Sequence, residues 1–173
     1  LFRYLEDHVA DVLRLRPSVM HHILRRNCQI KADIVSRDER EAGVRAFLNL
    51  GHTFAHGIET AAGYHGIAHG EAVSIGMALA AHMARDLGIF SEASLTRLAA
   101  LLQAFHLPTR PPASLSPADV LSAMRCDKKS LGGRMRFVLP TKIGRVRVVS
   151  DVPLPAVRRV LTQPRTAVGK RAT

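Results

Sequence analysis

The sequence predicts a mainly α domain with one minor β element. Three observations lead there. Hydrophobic residues make up 47% of the 173, but only 5% are aromatic and there is no Trp. The core must therefore be built from Leu, Ala, Val and Ile, and Leu- and Ala-rich runs favour helices. Apolar residues recur at helical spacing along most of the chain. One stretch alone, RMRFVLPTKIGRVRVVS, alternates basic and apolar residues around a Gly. That pattern predicts a two-stranded hairpin near residues 134–149. The length suits one domain with a sizeable core rather than two.

Taken in order, residues 2–15 read as a helix with Leu5, Val9, Val12 and Leu13 on one side. Pro17 opens a second helix, a residue suited to a first helical turn. It carries Val19, Ile23, Ile30 and Ile34 and is expected to run into the acidic stretch Asp38-Glu39-Arg40-Glu41. A third helix is expected over residues 41–61. Gly63, Gly66 and Gly70 punctuate the loop that follows. Residues 71–87 form a fourth helix rich in Ala, Gly and Ser, small residues that allow close helix packing, and Gly88 suits its C-terminal cap. Ser91 caps a fifth helix, SEASLTRLAALLQAF. A Pro/Ser connector spans 108–117, and a short helix covers 118–125. Beyond the hairpin a last helix lies near 155–161. Residues 1–162 form the helical unit, and residues 163–173, QPRTAVGKRAT, are a basic polar tail expected to fray.

Charge and cysteine usage narrow the functional classes. The formal net charge is +11, with a pI near 11.0. The plainer reading of such a balance is a soluble protein from an Arg-rich proteome; the functional one is an anionic partner, either nucleic acid or a phosphorylated, carboxylated small molecule. The basic residues are dispersed, and no basic run is flanked by aromatics that could stack on bases, which argues against nucleic acid. Cys28 and Cys126 form no CxxC and read as reduced thiols of a cytoplasmic protein. The longest apolar run, AVSIGMALAA, is too short to span a bilayer, so no membrane partner is expected. The first segment, LFRYLEDHVADVL, carries charges throughout and does not read as a signal peptide. It begins with Leu rather than Met, which raises the expectation of a segment upstream.

Four of the nine histidines, His52, His56, His65 and His69, fall within RAFLNLGHTFAHGIETAAGYHGIAHGEA. On a continuous helix with Arg45 at zero, Glu41, Asn49, His52, His56 and Glu59 lie within roughly 40° of it. Gly43, Phe47, Leu50, Phe54, Ile58 and Ala61 fall on the opposite face. A polar face usually means solvent. Two His and an Asn are mediocre helix formers, however, and His69-Gly70-Glu71 follows on a loop able to fold back. His52 and His56 are one turn apart and can converge on a metal. His69 is the natural third ligand, and neutral imidazoles suit zinc with a position left open. Thr53 follows His52, so this is not a zinc-protease motif. One His could equally shuttle protons or bind an anion, and spacing does not separate these cases. His65, on a Gly-flanked loop tip, reads as solvated.

The string K-A-D-I-V-x-x-D-E-R-E-x-x-x-R-x-x-L-N-x-G-H-T-x-x-H-x-I-E, followed by H-G-E-A-V-x-x-G-M, closely resembles 3-dehydroquinate synthase. Asp127-Lys128-Lys129, Gly133, Arg136-Phe137-Val138-Leu139-Pro140 and Ile143-Gly144 extend the likeness, so it covers nearly the whole chain. The resemblance implies the C-terminal helical, metal-binding domain of the dehydroquinate synthase-like fold. The family's N-terminal NAD-binding domain has no counterpart in this sequence. The family's zinc (or cobalt) is held by two His and a Glu. Here the two would be His52 and His69. The Glu belongs to a G-M-A-E-V-I-K-like segment that this sequence does not contain and that would lie upstream of Leu1.

The same resemblance implies that Lys31, Arg45 and Asn49 bind substrate and that His56 contacts it as a catalytic group. Glu41 would be the acid that orients His56. Lys128 or Lys129, with a preference for Lys128, would reach phosphate. Ala55 departs from the family's usual Gly. The implied substrate is 3-deoxy-D-arabino-heptulosonate 7-phosphate, a phosphorylated carboxylate sugar, which suits an Arg/Lys-rich stripe. The implied reaction uses NAD for transient oxidation, eliminates phosphate and recloses the ring to 3-dehydroquinate, a step of the shikimate pathway to aromatic amino acids. The family is usually homodimeric, and this chain alone is expected to be inactive. The rival readings are another sugar-phosphate cyclase, an iron-dependent alcohol dehydrogenase-like domain, and a non-catalytic helical module that binds a partner. Asn49 with His56 argues against the first, and the Lys31/Arg45/Asn49 set against the second.

Overall fold

The computed structural model describes residues 1–40, 43–129 and 135–162, with the side chains of 127–129 also left outside the description. Glu41 and the side chains of Lys128 and Lys129 therefore lie outside the described residues, as does the tail 163–173.

The chain runs α1 (Phe2–Asp7), α2 (Val9–Leu13), α3 (Pro17–Arg37), a 3-10 turn (Val44–Asn49), α4 (His52–Ala61), α5 (His69–Asp86), α6 (Glu92–Ala104), α7 (Pro117–Lys129), β1 (Phe137–Lys142), β2 (Arg145–Val149) and α8 (Leu154–Thr162). The mainly α expectation with a minor hairpin holds. The single first helix is instead two short ones, parted at His8. Arg97 of α6 grips the Glu6 carboxylate with two nitrogens, at 3.0 and 2.7 Å, and so docks α1 onto α6.

The core is layered around α4 and α5. Phe54 and Ile58 of α4, Ile75 and Met83 of α5, Val120 and Met124 of α7, Phe137 and Leu139 of β1, and Val157 and Val160 of α8 form one buried cluster. Phe54 and Phe137 stack tilted, with ring centroids 5.2 Å apart, a favoured aromatic geometry. Buried Ser74 donates to the Pro108 carbonyl at 2.8 Å and ties α5 to the Pro-rich connector. That bond removes the cost of an unmet hydroxyl. β1 and β2 pair antiparallel from Phe137↔Val149 onward, and Gly144 takes the left-handed conformation at the turn, φ 82°. Ser91 caps α6 by accepting from the Ser94 N–H at 3.2 Å. Gly88 adopts φ 72° just past α5, as a helix stop requires.

Two expectations around residues 38–61 need correction. The second helix does not run into the acidic stretch: it ends at Arg37. Asp38 turns its carboxylate back to accept the N–H groups of Gly43 and Arg45, at 2.8 and 2.9 Å. A short acidic side chain offers the backbone that alternative to continuing a helix. The third helix is not continuous either. It is a 3-10 turn and then α4, divided at Leu50-Gly51, where Gly51 has φ 86°. Phe47, placed by the periodic reading on the buried face, is 36% exposed. Gly70, read as part of the loop, lies in the first turn of α5.

Far from these elements, His82 of α5 lines a cavity of about 520 Å³ between α5, α6 and the Pro-rich connector. Its Nδ1 is buried without a hydrogen-bond partner. Burial, then Arg85, lowers its pKa below the usual 6.5, with Arg110 adding to the shift and Asp86 and Glu92 opposing it. The unfolded chain therefore takes up this proton first as the pH falls. Stability from His82 is complete above about pH 6.5 and is lost as the pH drops toward the folded pKa. Urea midpoints measured from pH 8 to pH 5 should decline less steeply in His82→Gln than in the wild type.

Candidate metal and substrate site

Three elements meet at the site. α3 projects Lys31, the 3-10 turn projects Arg45 and Asn49, and α4 begins at His52. Lys31, Arg45, Asn49 and His52, with Asn27, Ile30 and Leu48, line one open cavity of about 490 Å³. Arg45 is fixed at its backbone by Asp38 and at its guanidinium by the Glu39 carbonyl, 2.9 Å away. Asp38 thus sets the backbone course that carries Arg45 to the cavity. The sequence reading had passed it over, although an Asp at a helix end five residues before a Gly is a usable signal for such a turn.

The start of α4 is set by its crossing with α5. A Cβ on Gly51 would lie 2.7 Å from the Met77 nitrogen and 2.9 Å from the Val73 carbonyl oxygen, and a Cβ on Gly76 would strike the Gly51 carbonyl. Only a glycine at each position lets the helices approach this closely. The close crossing carries His52 to the first residue of α4. His69, the first residue of α5, arrives beside it because the Glu71 carboxylate accepts the Ala68 N–H at 2.9 Å and holds that helix start. Thr53 donates to the Arg136 carbonyl at 2.8 Å and pins α4 to the lead-in of β1.

The imidazoles of His52, His56 and His69 form a triangle, with ring centroids 6.2, 5.6 and 6.4 Å apart. Beneath them lies Glu59, only 8% exposed. Its carboxylate is 2.8 Å from His69 Nδ1 and 3.5 Å from His56 Nδ1. Glu59 stood on the polar stripe in the sequence but had been given no role; its place three residues after His56 was the available signal. His65 is exposed on the loop, as expected. Lys31, Arg45, Asn49, His52, His56 and His69 are thus brought into one neighbourhood.

The site's chemistry fits a divalent metal, with part of a ligand set. Burial lowers the pKa of His52, with the charges of His69 and His56 adding to it and the Leu50 carbonyl and Glu59 opposing. The neutral imidazole is the form a metal takes. His52 Nδ1 is buried without a hydrogen bond of good geometry, as is Nδ1 of His82, so it is the place of His52 beside His56 and His69 that marks it as a site residue. Among the described residues no three His, Cys, Asp or Glu side chains converge tightly enough to hold an ion by themselves. Also among the described residues, no helix is long and apolar enough to cross a membrane.

Residues 1–130 match the family described as 3-dehydroquinate synthase C-terminal. The chain is 49% identical over 160 residues to a 3-dehydroquinate synthase of Acidithiobacillus ferrooxidans, covering 92% of this chain and 44% of the relative. It is 46% identical over 161 residues to that of Shewanella frigidimarina, covering 93% and 45%. The chain therefore spans less than half the length of these relatives. Its fold matches the 2-epi-5-epi-valiolone synthase of Streptomyces hygroscopicus, solved with NAD+ and Zn2+ bound, at a TM-score of 0.81 and 30% identity, covering 92% of this chain and 44% of that one. A 2-deoxy-scyllo-inosose synthase, complexed with carbaglucose-6-phosphate, NAD+ and Co2+, matches at 0.66 and 24% identity over 76% of this chain and 37% of the other. The matched residues 1–130 hold the whole His-and-Lys/Arg neighbourhood, and the chain belongs to the 3-dehydroquinate synthase C-terminal family.

Proposed function

We propose that this chain is the metal- and substrate-binding part of a 3-dehydroquinate synthase, converting 3-deoxy-D-arabino-heptulosonate 7-phosphate to 3-dehydroquinate and phosphate in the cytoplasm. One observation carries the proposal: a His52/His56/His69 cluster opening beside a cavity lined by Lys31, Arg45 and Asn49. A metal beside an anion-binding wall suits a substrate with both a phosphate and a carboxylate. Identities of 46–49% to 3-dehydroquinate synthases, against 30% to the valiolone synthase, favour this cyclase over its relatives.

His52 and His69 would hold zinc or cobalt, with a third ligand from outside this sequence, and NAD would be bound by the part of the relatives that this chain does not match. When bound, the metal polarises a substrate hydroxyl and NAD supplies the transient oxidation. The chain's own residues do the rest. Lys31 and Arg45 pair with the substrate's anionic groups, and Arg45 does so from a guanidinium already oriented by the Glu39 carbonyl, so less ordering is left for binding. Asn49 hydrogen-bonds a hydroxyl and fixes the ring's orientation. His56, with its ring centroid 6.2 Å from that of His52, can hold or pass a proton. Lys128 or Lys129 would meet the phosphate, and Glu41 would support His56.

The test is 3-dehydroquinate formation, with NAD and zinc supplied, by this chain and by a form extended upstream with the relatives' N-terminal half. Turnover by the extended form alone supports the reading. No turnover by either form sinks it, and turnover by the short chain removes the outside ligand and NAD site from the account. In the extended form Lys31→Met removes one charge-assisted contact, worth about 1.5–3 kcal/mol. The KM for the heptulosonate phosphate should then rise about 10- to 100-fold, with little change in the folding transition, because Lys31 is exposed.

A further inference from the structure

We propose that Glu59 is a positioning residue that holds His69 in the tautomer a metal requires. The inference rests on the metal reading above and assigns a role to a residue outside the expected ligand and substrate set. Glu59 is one of two buried polar or charged side chains among the described residues, the other being Ser74. An acid is rarely buried without partners that repay its lost hydration. The partners here are two histidines of the site: one carboxylate oxygen lies 2.8 Å from His69 Nδ1, and the other lies 3.5 Å from His56 Nδ1.

The shorter contact decides a proton. A carboxylate only accepts hydrogen bonds, so the ring nitrogen facing it carries the hydrogen. In a neutral His69 that leaves Nε2 bare, and a bare imidazole nitrogen is what a metal binds. The same contact adds electron density to the ring and fixes its plane, as carboxylate–histidine pairs behind metals do. Position supports the arrangement. Glu59 lies on the third turn of α4, next to Ile58, and Phe54 and Ile58 of α4 and Ala72 and Ile75 of α5 are all at most 1% exposed in the core that these helices share. The carboxylate therefore sits on a rigid base, while His69 is the first residue of a helix held by Glu71. The 3.5 Å contact is longer than a good hydrogen bond, so Glu59 grips His69 and only biases His56. Through it a metal ligand and a substrate-facing histidine share one anion.

Long-range 1H–15N NMR of the histidine side chains of this chain reads the tautomer directly, with His69→Gln assigning the resonance. The expected result is an Nδ1–H tautomer for His69 in the wild type, its loss in Glu59→Ala, and its partial return in Glu59→Gln, whose amide oxygen can still accept. Zinc affinity, measured by competition with a chromophoric chelator, should fall about 10- to 100-fold in Glu59→Ala, with Glu59→Gln between. A purely structural role would shift the urea midpoint of both variants and leave the tautomer of the folded fraction unchanged. A wild-type His69 protonated on Nε2, or an unchanged tautomer and zinc affinity in Glu59→Ala, overturns the proposal. If the tautomer is as expected but the chain takes up no zinc, the metal reading falls, and the ligand-positioning role falls with it.

Discussion

His52→Ala is expected to cut metal affinity by about 1,000-fold, and turnover of the extended form by at least as much. The magnitude follows from what surrounds the residue. Loss of a carboxylate behind a ligand costs 10- to 100-fold, and loss of the ligand itself must cost more. His52 is also the corner shared by the two functions of the site. It lines the cavity with Lys31, Arg45 and Asn49, and its ring stands 5.6 Å from that of His69. On the proposed reading, removing it takes away a metal ligand and opens the cavity wall that it shares with Lys31, Arg45 and Asn49. The fold should tolerate the change, because His52 is only partly buried and stands at the first residue of α4. Equilibrium dialysis against zinc, together with a urea titration, separates the two effects. Unchanged zinc binding with an intact fold would take His52 out of the ligand set.

Gly76→Ala should have the largest effect on stability of any methyl-sized change at the site. The added Cβ would strike the Gly51 carbonyl, and that carbon and its Cα are also within 3.1 Å. Every obstacle is backbone, so no side chain can rotate away. Overpacking a core costs typically 1–3 kcal/mol, and a clash of backbone with backbone at a helix crossing should reach at least about 3 kcal/mol. The consequence extends beyond stability. Gly51 immediately precedes His52, so whatever separates α4 from α5 also separates His52 from His69. The variant should therefore lose zinc affinity even in the fraction that remains folded. A urea midpoint equal to the wild type's would show that the crossing is looser than its geometry implies. Gly51→Ala adds a second penalty, since φ 86° at that position is strained for any residue with a Cβ.

The amino-acid sequence alone determined much of this protein. The scarcity of aromatics and the helical spacing of Leu and Ala led to a mainly α fold. Alternation around Gly144 led to the hairpin, and Ser91 and Gly88 marked helix ends. These are local signals, read within a few residues. The motif from Lys31 to Glu59, and then His69 to Met77, pointed to the family and the site residues, because it preserves residue types at fixed spacings.

Tertiary structure decided the rest. A uniform helical rotation placed Arg45, Asn49, His52 and His56 on one stripe of one helix. They do share a site, but the route is different. Gly51 breaks the helix because α5 presses against it at Gly76, a contact between residues 25 positions apart that no local pattern reveals. Asp38 ends α3 early through a more local contact, with the N–H groups of Gly43 and Arg45 five and seven residues on, which helical periodicity does not display. Glu59 stood on the polar stripe with no role of its own. It is buried because α5 brings His69 over it, and the pairing across that helix contact makes a surface-type residue part of the site. Spacing supplied the list of groups. The packing of α4 on α5 determined which nitrogen faces which oxygen, because a hydrogen bond depends on distances that only the assembled core sets.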